Sequence, residues 1–254
     1  MRLQDKVVIV TGAARGIGQA FALGLAKEGA KVVAADMLEV TDTMDKVKAE
    51  GGTIIGINVD VSHAGSTRDM ASETMKEFGN IDVIVNNAAI WGGLKFKPMD
   101  LISEEEWDAV FAVNVKGVWQ CCKAVVPYMK EQGKGSIINI SSASIFQGIP
   151  LLGHYVASKG AIWAYTRSLS REIGEFGIRV NSISPGYTMT QASKNLSDDQ
   201  EQLDYIYNLN IDQRIIKRAM YSEDLIGALL FLASDDSAFI TGQNINVDGG
   251  SYHY

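Results

Sequence analysis

The chain has 254 residues, 46% hydrophobic and 21% charged, the composition of a globular protein with one large core. Its 30 acids against 23 Lys and Arg leave a net charge of −7 without a basic tract, which argues against nucleic acid and anionic membrane surfaces as partners. No apolar run approaches the ~20 residues of a spanning helix, the first apolar strand opens at residue 6 without room for a signal peptide, and Cys121 and Cys122 are adjacent and poorly placed for a stapling disulfide, so a cytoplasmic protein is expected.

Residues 6–11 form an apolar, β-branched run, the pattern of a strand buried on both faces. The turn Thr11-Gly12-Ala13-Ala14-Arg15-Gly16-Ile17-Gly18 follows at once. Ala20, Leu23 and Ala26 then repeat at helical spacing until Gly29 stops the helix. A second apolar strand, residues 31–35, ends in Asp36. This is a βαβ unit with a glycine-rich first turn. Glycines let the backbone pass close to a pyrophosphate, and the helix N-terminus offers it free N–H groups and a partial positive charge. The spacing is G-x3-G-x-G rather than the commoner G-x-G-x-x-G. The strand before, the helix after and an acid 18 residues past Gly18 supply the context of a dinucleotide site. Asp36 can accept hydrogen bonds from the adenosine ribose hydroxyls and would repel a 2′-phosphate, and Met37 supplies no cation; both favour NAD over NADP. Arg15 has three open readings: it can reach a phosphate, pack on adenine or face solvent.

A third strand, Thr53 to Val59, leads into Asp60-Val61. A helix from about Ser66 to Phe78 and a fourth strand, Ile81 to Val85, follow, ending at Asn86-Asn87-Ala88-Ala89. A long helical stretch covers roughly Ser103 to Gln132, opened by Ser103 with Glu106 three residues on, the signature of a capping box. Asn114 lies in its apolar part, FAVNVKGVW, where a buried amide needs partners. Strand five is Ser136 to Ile140, a helix through Tyr155 runs to about Phe176, strand six is Arg179 to Ile183, and strand seven is Asn244 to Val247. This alternation predicts an α/β fold, a single Rossmann-type doubly wound parallel sheet of about seven strands with helices on both faces, in one domain over 1–254. In such sheets ligands bind beyond the carboxyl ends of the strands, where the segments at Asn86, Ser142 and Pro185 converge. His63, His154 and His253 are scattered without ligand spacing, so no metal is expected.

Tyr155 and Lys159 stand four residues apart in GHYVASKGAIWAYTRSL and so share one helical face. A free tyrosine, with a pKa near ~10, is a poor base at neutral pH. A fixed cation nearby favours the phenolate and lowers that value, which is the tuning a general acid/base needs. Ser142 follows strand five, 13 residues before Tyr155, where its hydroxyl can bond a substrate oxygen or simply serve a turn; Ser141 is its adjacent competitor.

TGAARGIG, Asn86-Asn87-Ala88-Ala89, Asn114, Ser141-Ser142, Tyr155/Lys159 and Pro185-Gly186 resemble, in order and spacing, the short-chain dehydrogenases/reductases, over essentially the whole chain. One departure is Ala89, where the family usually has glycine. The resemblance implies an NAD-dependent oxidoreductase that interconverts a secondary alcohol and a ketone by hydride transfer. Tyr155 would be its general acid/base, and the family's serine-to-tyrosine spacing selects Ser142 to hold the substrate oxygen. Lys159 would hold the nicotinamide ribose and bias Tyr155 toward phenolate, and Asn114 would hold a water linking Lys159 to solvent. Cofactor contacts are implied at Gly12, Arg15, Gly16, Ile17, Gly18, Asp36 and Asn87, and at Asp60-Val61 against the adenine. Tyr155, Lys159, Pro185, Gly186, Thr188 and Thr190 would surround the nicotinamide, with the Thr188 backbone and Thr190 hydroxyl on its carboxamide.

The expected substrate pocket is walled by Trp91, Leu94 and Phe96, by Ser144, Ile149, Leu151 and Leu152, and by Tyr187. A lid at about 190–218 adds Tyr205, Tyr207, Leu209 and Ile211. These residues suggest a medium-sized apolar or aromatic small molecule, unless several merely pack the fold. Trp163 is expected in the core or a subunit contact. In the resembled family the helices at 103–132 and 154–176 pair across a dimer face, so a homotetramer is the expected assembly. Two other readings compete. An NADPH-dependent 3-oxoacyl-carrier ketoreductase would want a basic patch and cations in place of Asp36. A non-catalytic dinucleotide-binding sensor would have a broken catalytic set, whereas Asn114, Ser142, Tyr155 and Lys159 are all present.

Overall fold

The structure, a computed structural model, describes every residue except Asn195, Asp198 and Tyr254. Two positions of the expected lid, and the last residue of the expected domain, therefore lie outside the described residues. Strands β1 (Val7–Thr11), β2 (Lys31–Asp36), β3 (Thr53–Asn58), β4 (Val83–Asn86), β5 (Gly135–Ile140), β6 (Ile178–Pro185) and β7 (Asn244–Val247) form one sheet in the order 3-2-1-4-5-6-7. Every neighbouring pair is parallel. The chain winds outward from β1 to β3 and then crosses to β4, so the connections that leave the paired strands β1 and β4 run in opposite directions, the place where such sheets bind ligands.

The helices are α1 (Gly16–Lys27), α2 (Thr41–Ala49), α3 (Ala64–Phe78), α4 (Glu104–Phe111), α5 (Val118–Gln132), α6 (Ser144–Gln147), α7 (Gly153–Ile173), α8 (Gln191–Lys194), α9 (Gln200–Gln213) and α10 (Ile226–Ala233). They cover both faces of the sheet because its strands are apolar on both. Val8 and Val10 point to one face, where Phe21 and Leu25 of α1 meet Leu229 and Leu232 of α10. Ile9 points to the other, where Met70 of α3, Val125 and Met129 of α5, and Ile162 and Leu169 of α7 pack. Each such side chain, fully buried, contributes roughly 1.5–3 kcal/mol.

All seven expected strands are present within a few residues of their expected bounds. Helices α2 and α10 were not expected. Only Thr43 and Val47 of α2 are buried, so it shows no apolar stripe, while α10, IGALLFLA, is apolar all round and has no period. The expected lid carries α8 and α9, of which α9 spans 14 residues and is capped by Asp199.

The stretch expected over 103–132 is one continuous rod whose middle, Ala112–Gly117, is π-helical. Such widened turns free a backbone carbonyl and concentrate at functional sites. By length and composition alone the rod could cross a membrane, but half of its most apolar window is buried inside the fold, against α3 and the sheet. Cys121 and Cys122 lie on it as buried free thiols.

Candidate active site

The carboxyl ends of the central strands meet around one cavity of about 410 Å³. Its cofactor end is built by fastening the β1 turn to the end of β4. Asn87 Nδ2 donates to the Thr11 and Gly12 carbonyls at 2.9 and 3.1 Å, and Thr11 Oγ1 accepts from the backbone N–H of Asn87 and Ala88. Only glycine fits that junction. A Cβ on Gly12, at φ +68, would lie 2.8 Å from Ala88 Cα, and one on Gly18 would lie 2.0 Å from the Gly12 carbonyl oxygen. Gly16 instead borders the cavity, with nothing nearer to a built Cβ than Thr190 at 3.7 Å. No side chain caps α1, so its first N–H groups remain for an anion, and Arg15, at its N-cap, lines the same space. The turn therefore fits the diphosphate of a dinucleotide.

Asp36 is oriented for an outer ligand. Its Oδ2 accepts from Ala14 N–H at 2.9 Å and its Oδ1 from Leu38 N–H at 3.0 Å, which leaves each oxygen a further lone pair. Asp60 accepts from the Ser62 backbone and hydroxyl and lies 2.8 Å from His63 Nδ1. Burial raises its pKa, but those hydrogen bonds outweigh burial and leave it below the ordinary carboxylate value. Val61 packs against Gly117 of the π-helical segment. Gly12, Asp36, Asp60, Val61 and Asn114 all stand outside the lining of the cavity, whereas Arg15, Gly16, Ile17, Gly18, Asn87, Pro185, Gly186, Thr188 and Thr190 border it.

Tyr155 and Lys159 are set by how α7 is pinned to the sheet. Asn86 Nδ2 donates to Asn139 Oδ1, and Asn139 Nδ2 donates to Thr166 Oγ1, a buried chain running from β4 through β5 into α7. Ser141 Oγ donates to the carbonyl of Lys159 at 2.9 Å, so its hydroxyl is occupied by the helix backbone. Ser142, not Ser141, is the serine whose hydroxyl acts on the Tyr155 phenol, favouring its ionised form. Lys159 Nζ donates to the Ile140 carbonyl at 2.8 Å and stands 5.8 Å from the Tyr155 ring centroid. The expected bias of Tyr155 toward phenolate is not found: burial pushes the phenol up to about 12, against the opposing effect of the Ser142 hydroxyl, and pushes Lys159 down to about 8. With the cation turned to Ile140, desolvation decides both values.

Asn114 sits in the π-helical segment with both of its amide protons donated. Its Oδ1 accepts from Ile90 N–H at 2.7 Å, and its Nδ2 donates to the Ile90 carbonyl and to Ser158 Oγ. Its side chain thus fastens the segment after β4 to α7.

Of the residues expected to wall a substrate, Trp91, Phe96, Ser144, Ile149, Leu151, Leu152, Tyr187, Tyr205 and Leu209 line the cavity. Trp91 lies tilted at 45° against Tyr155, ring centroids 4.6 Å apart. Leu94 does not line it, because it is buried behind the wall with Val110 and Leu152. Tyr207 and Ile211 also fall outside the lining; on α9 they alternate with Tyr205, Ile206 and Leu209, which do reach it. Trp163 is outside too, edge-on to Phe146 and under Arg167. Not expected from the sequence were Gln147, Gln202, Asn210 and Tyr252, polar groups at the lid and C-terminal side of the same cavity. Tyr252 Oη donates to Gln213 Oε1 at 2.9 Å, tying the C-terminal segment to α9. Ser144 Oγ is buried without a partner. Thr190 Oγ1 accepts from Ser193 N–H in α8 and keeps its own proton to donate. Among the described residues, Arg15 and Lys159 are the only charged groups in the lining, and no cluster of three His, Cys, Asp or Glu could hold a metal.

Residues 12–252 match the family profile described as Enoyl-(Acyl carrier protein) reductase. A 3-oxoacyl-(acyl-carrier-protein) reductase of Staphylococcus epidermidis is 36% identical over 252 residues, 98% of this chain and 99% of the relative. An uncharacterized oxidoreductase of Thermotoga maritima is 38% identical over 257 residues, 99% of each chain. Among solved structures, levodione reductase covers 100% of both chains with a TM-score of 0.91 at 30% identity. A Burkholderia xenovorans chain assigned to the short-chain dehydrogenases/reductases gives the same TM-score and identity over 98% of this chain and 97% of its own. All of these names denote oxidoreductases, and those that name a substrate name different ones. With its seven-stranded parallel sheet, its glycine turn and its Ser142, Tyr155 and Lys159 around one cavity, the chain belongs to the short-chain dehydrogenases/reductases, oxidoreductases that bind a nicotinamide dinucleotide.

Proposed function

We propose that the protein is an NAD-dependent oxidoreductase that interconverts an uncharged secondary alcohol and its ketone. The observation that carries this reading is the convergence of Ser142, Tyr155 and Lys159 with the glycine turn and the Pro185–Thr190 segment on one cavity. The bound dinucleotide would supply the ring carbon that takes or gives the hydride. The chain's own residues manage the proton and the geometry. Ser142 and the Tyr155 phenol would hold the substrate oxygen between them. A phenol pushed up to about 12 keeps its proton at neutral pH and can donate it to a ketone oxygen as that oxygen gains charge. For the reverse reaction Lys159 has to leave the Ile140 carbonyl and act as the cation that favours phenolate. Gly12, Arg15, Gly16, Ile17, Gly18 and Asn87 would hold the diphosphate side, Asp36 the adenosine ribose, Asp60 and Val61 the adenine, and Thr188 and Thr190 the carboxamide. Fixing the reacting carbon beside the ring can contribute on the order of 7–11 kcal/mol to the barrier.

The substrate follows from the walls. Aromatic and aliphatic side chains dominate, and neither charged group in the lining lies among the substrate-side residues, which disfavours carboxylates and phosphates. The unpartnered hydroxyl of Ser144 supports a second polar group on the substrate, a carbonyl or hydroxyl, as in a diketone or hydroxyketone. Exposed Trp107 and Trp119 on the long rod support assembly through that helix and α7, as a homotetramer.

A second reading, a 3-oxoacyl-(acyl-carrier-protein) reductase, is favoured by the name of the 36%-identical relative. The net charge of −7 and Asp36 weigh against it. A panel of diketones, hydroxyketones, plain ketones and 3-oxoacyl thioesters, followed by absorbance with NADH and with NADPH, separates the two. Turnover confined to thioesters with NADPH would replace the first reading by the second, and no turnover with either cofactor would remove both.

A further inference from the structure

We propose that His154 and Glu106 are positioning residues which, through Lys97, hold the substrate-side wall of the cavity against Tyr155; this rests on the oxidoreductase reading above. His154 is the second residue of α7, immediately before Tyr155, and is fully buried. Its Nε2 lies 3.0 Å from Glu106 Oε1 of α4, and Glu106 Oε2 accepts from Lys97 Nζ. Lys97 belongs to the segment that leaves β4 and crosses the cavity, and its backbone N–H donates to the Leu151 carbonyl at 3.0 Å. Asn114 already grips this segment at Ile90. The wall residues Trp91 and Phe96 are therefore suspended between two clamps, Asn114 at one end and the Lys97–Glu106–His154 chain at the other.

The hydrogen bonding of the ring is one-sided. Nδ1 of His154 is buried without a partner, and a carboxylate oxygen can only accept, so Nε2–H donates to Glu106 Oε1. Lys97 holds that carboxyl below its ordinary value, against burial and with help from His154. The three residues lie on the substrate side and touch none of the glycine turn, so their effect should fall on substrate rather than on dinucleotide.

The test uses the full-length protein with His154→Leu, His154→Gln and Lys97→Met. Glutamine can place an amide N–H on Glu106 where leucine cannot, and Lys97→Met changes a partly exposed side chain if His154→Leu does not fold. In the Leu and Met variants, hydrogen exchange across residues 90–98 should rise about tenfold, and KM for the best-used ketone of the panel by a similar factor, as for loss of one hydrogen bond to a charged group. NADH affinity should hold, and His154→Gln should restore both quantities. Unchanged exchange and KM in either foldable variant, an equal loss of NADH affinity, or a Gln variant no better than Leu would each overturn the proposal. If the unaltered protein reduces no ketone, the oxidoreductase reading fails instead, and hydrogen exchange alone still decides whether the strap holds the wall.

Discussion

Lys159 stands 5.8 Å from the ring centroid of Tyr155, one helical turn away on α7, and yet donates its proton to the carbonyl of Ile140. The two groups share a desolvated space without a hydrogen bond between them. Burial pushes Lys159 down to about 8 and Tyr155 up to about 12, so each is driven toward its neutral form. In the proposed reaction this pair would be the acid/base, and what enters the cavity beside it would set its charge state.

The same two shifts fix how stability depends on pH. Burial pushes Lys159 down to about 8 in the fold against an ordinary 10.5, so between those values the unfolded chain binds the extra proton and stability rises with pH. Tyr155 titrates at about 12 against 10.0, so between those values the folded chain keeps the extra proton and stability falls. Cys121 and Cys122, both raised by burial, add a falling slope of their own, so the comparison must be with variants. The urea midpoint of the unaltered chain minus that of Lys159→Met should climb from pH ~8 to ~10.5, by up to ~3 kcal/mol in free energy. A flat difference would mean that Lys159 is solvated in the fold.

Tyr155→Phe keeps the ring against Trp91 and removes only the proton carrier. Turnover of the best ketone should fall by at least ~10²–10⁴, the range of a lost general acid. NADH binding, followed by fluorescence titration, should stay near that of the unaltered protein, since the glycine turn is untouched. Substantial residual turnover would assign the proton to another group.

The β1–turn–α1–β2 unit was legible in the sequence because each of its signals lies within about thirty residues, and the turn is closed by backbone geometry that only glycine tolerates at Gly12 and Gly18. Tyr155 and Lys159 were legible for a similar reason, being one helical turn apart. The substrate side was less so. Ser103 does cap α4, accepting from Glu106 N–H at 3.2 Å, but the Glu106 carboxylate goes to Lys97 and His154, one of them 48 residues distant. No local pattern predicts that choice. Tyr252 reaches the cavity only because the C-terminal segment folds back over α9, and α10 hides from any periodic reading because it is apolar on every side. The pKa of Tyr155 was misjudged because neighbouring charge can be read from spacing, whereas desolvation depends on the whole fold.

Ser144 offers a sharper probe of the substrate than any apolar wall residue. Its hydroxyl is buried and unpartnered, so a substrate group that bonds to it gains about 0.5–1.5 kcal/mol, or roughly two- to tenfold in affinity. Ser144→Ala should raise KM by that factor for a diketone or hydroxyketone and leave a plain ketone of the same size unchanged. Equal effects on both would place the hydroxyl outside the recognition of substrate.

In the proposed NAD-dependent reaction Asp36 would select the cofactor through its charge, and its two tasks can be separated. The carboxylate holds the N–H of Ala14 and of Leu38, which shapes the glycine turn, and it would also face the adenosine ribose. A negative charge there would repel a 2′-phosphate, and Arg15 lies next to Ala14 with its guanidinium in no hydrogen bond or ion pair among the described residues. Asp36→Asn can keep one of the backbone bonds while losing the charge, whereas Asp36→Ala loses both. If charge governs the choice, both variants should move the ratio of kcat/KM for NADH over NADPH toward NADPH by about tenfold or more, the scale of one close charge pair at a partly exposed site. If the turn governs it, Asn should behave like the unaltered protein and Ala should weaken both cofactors alike. Steady-state kinetics with the two dinucleotides distinguish these outcomes, and an unchanged ratio in both variants would remove Asp36 from cofactor selection.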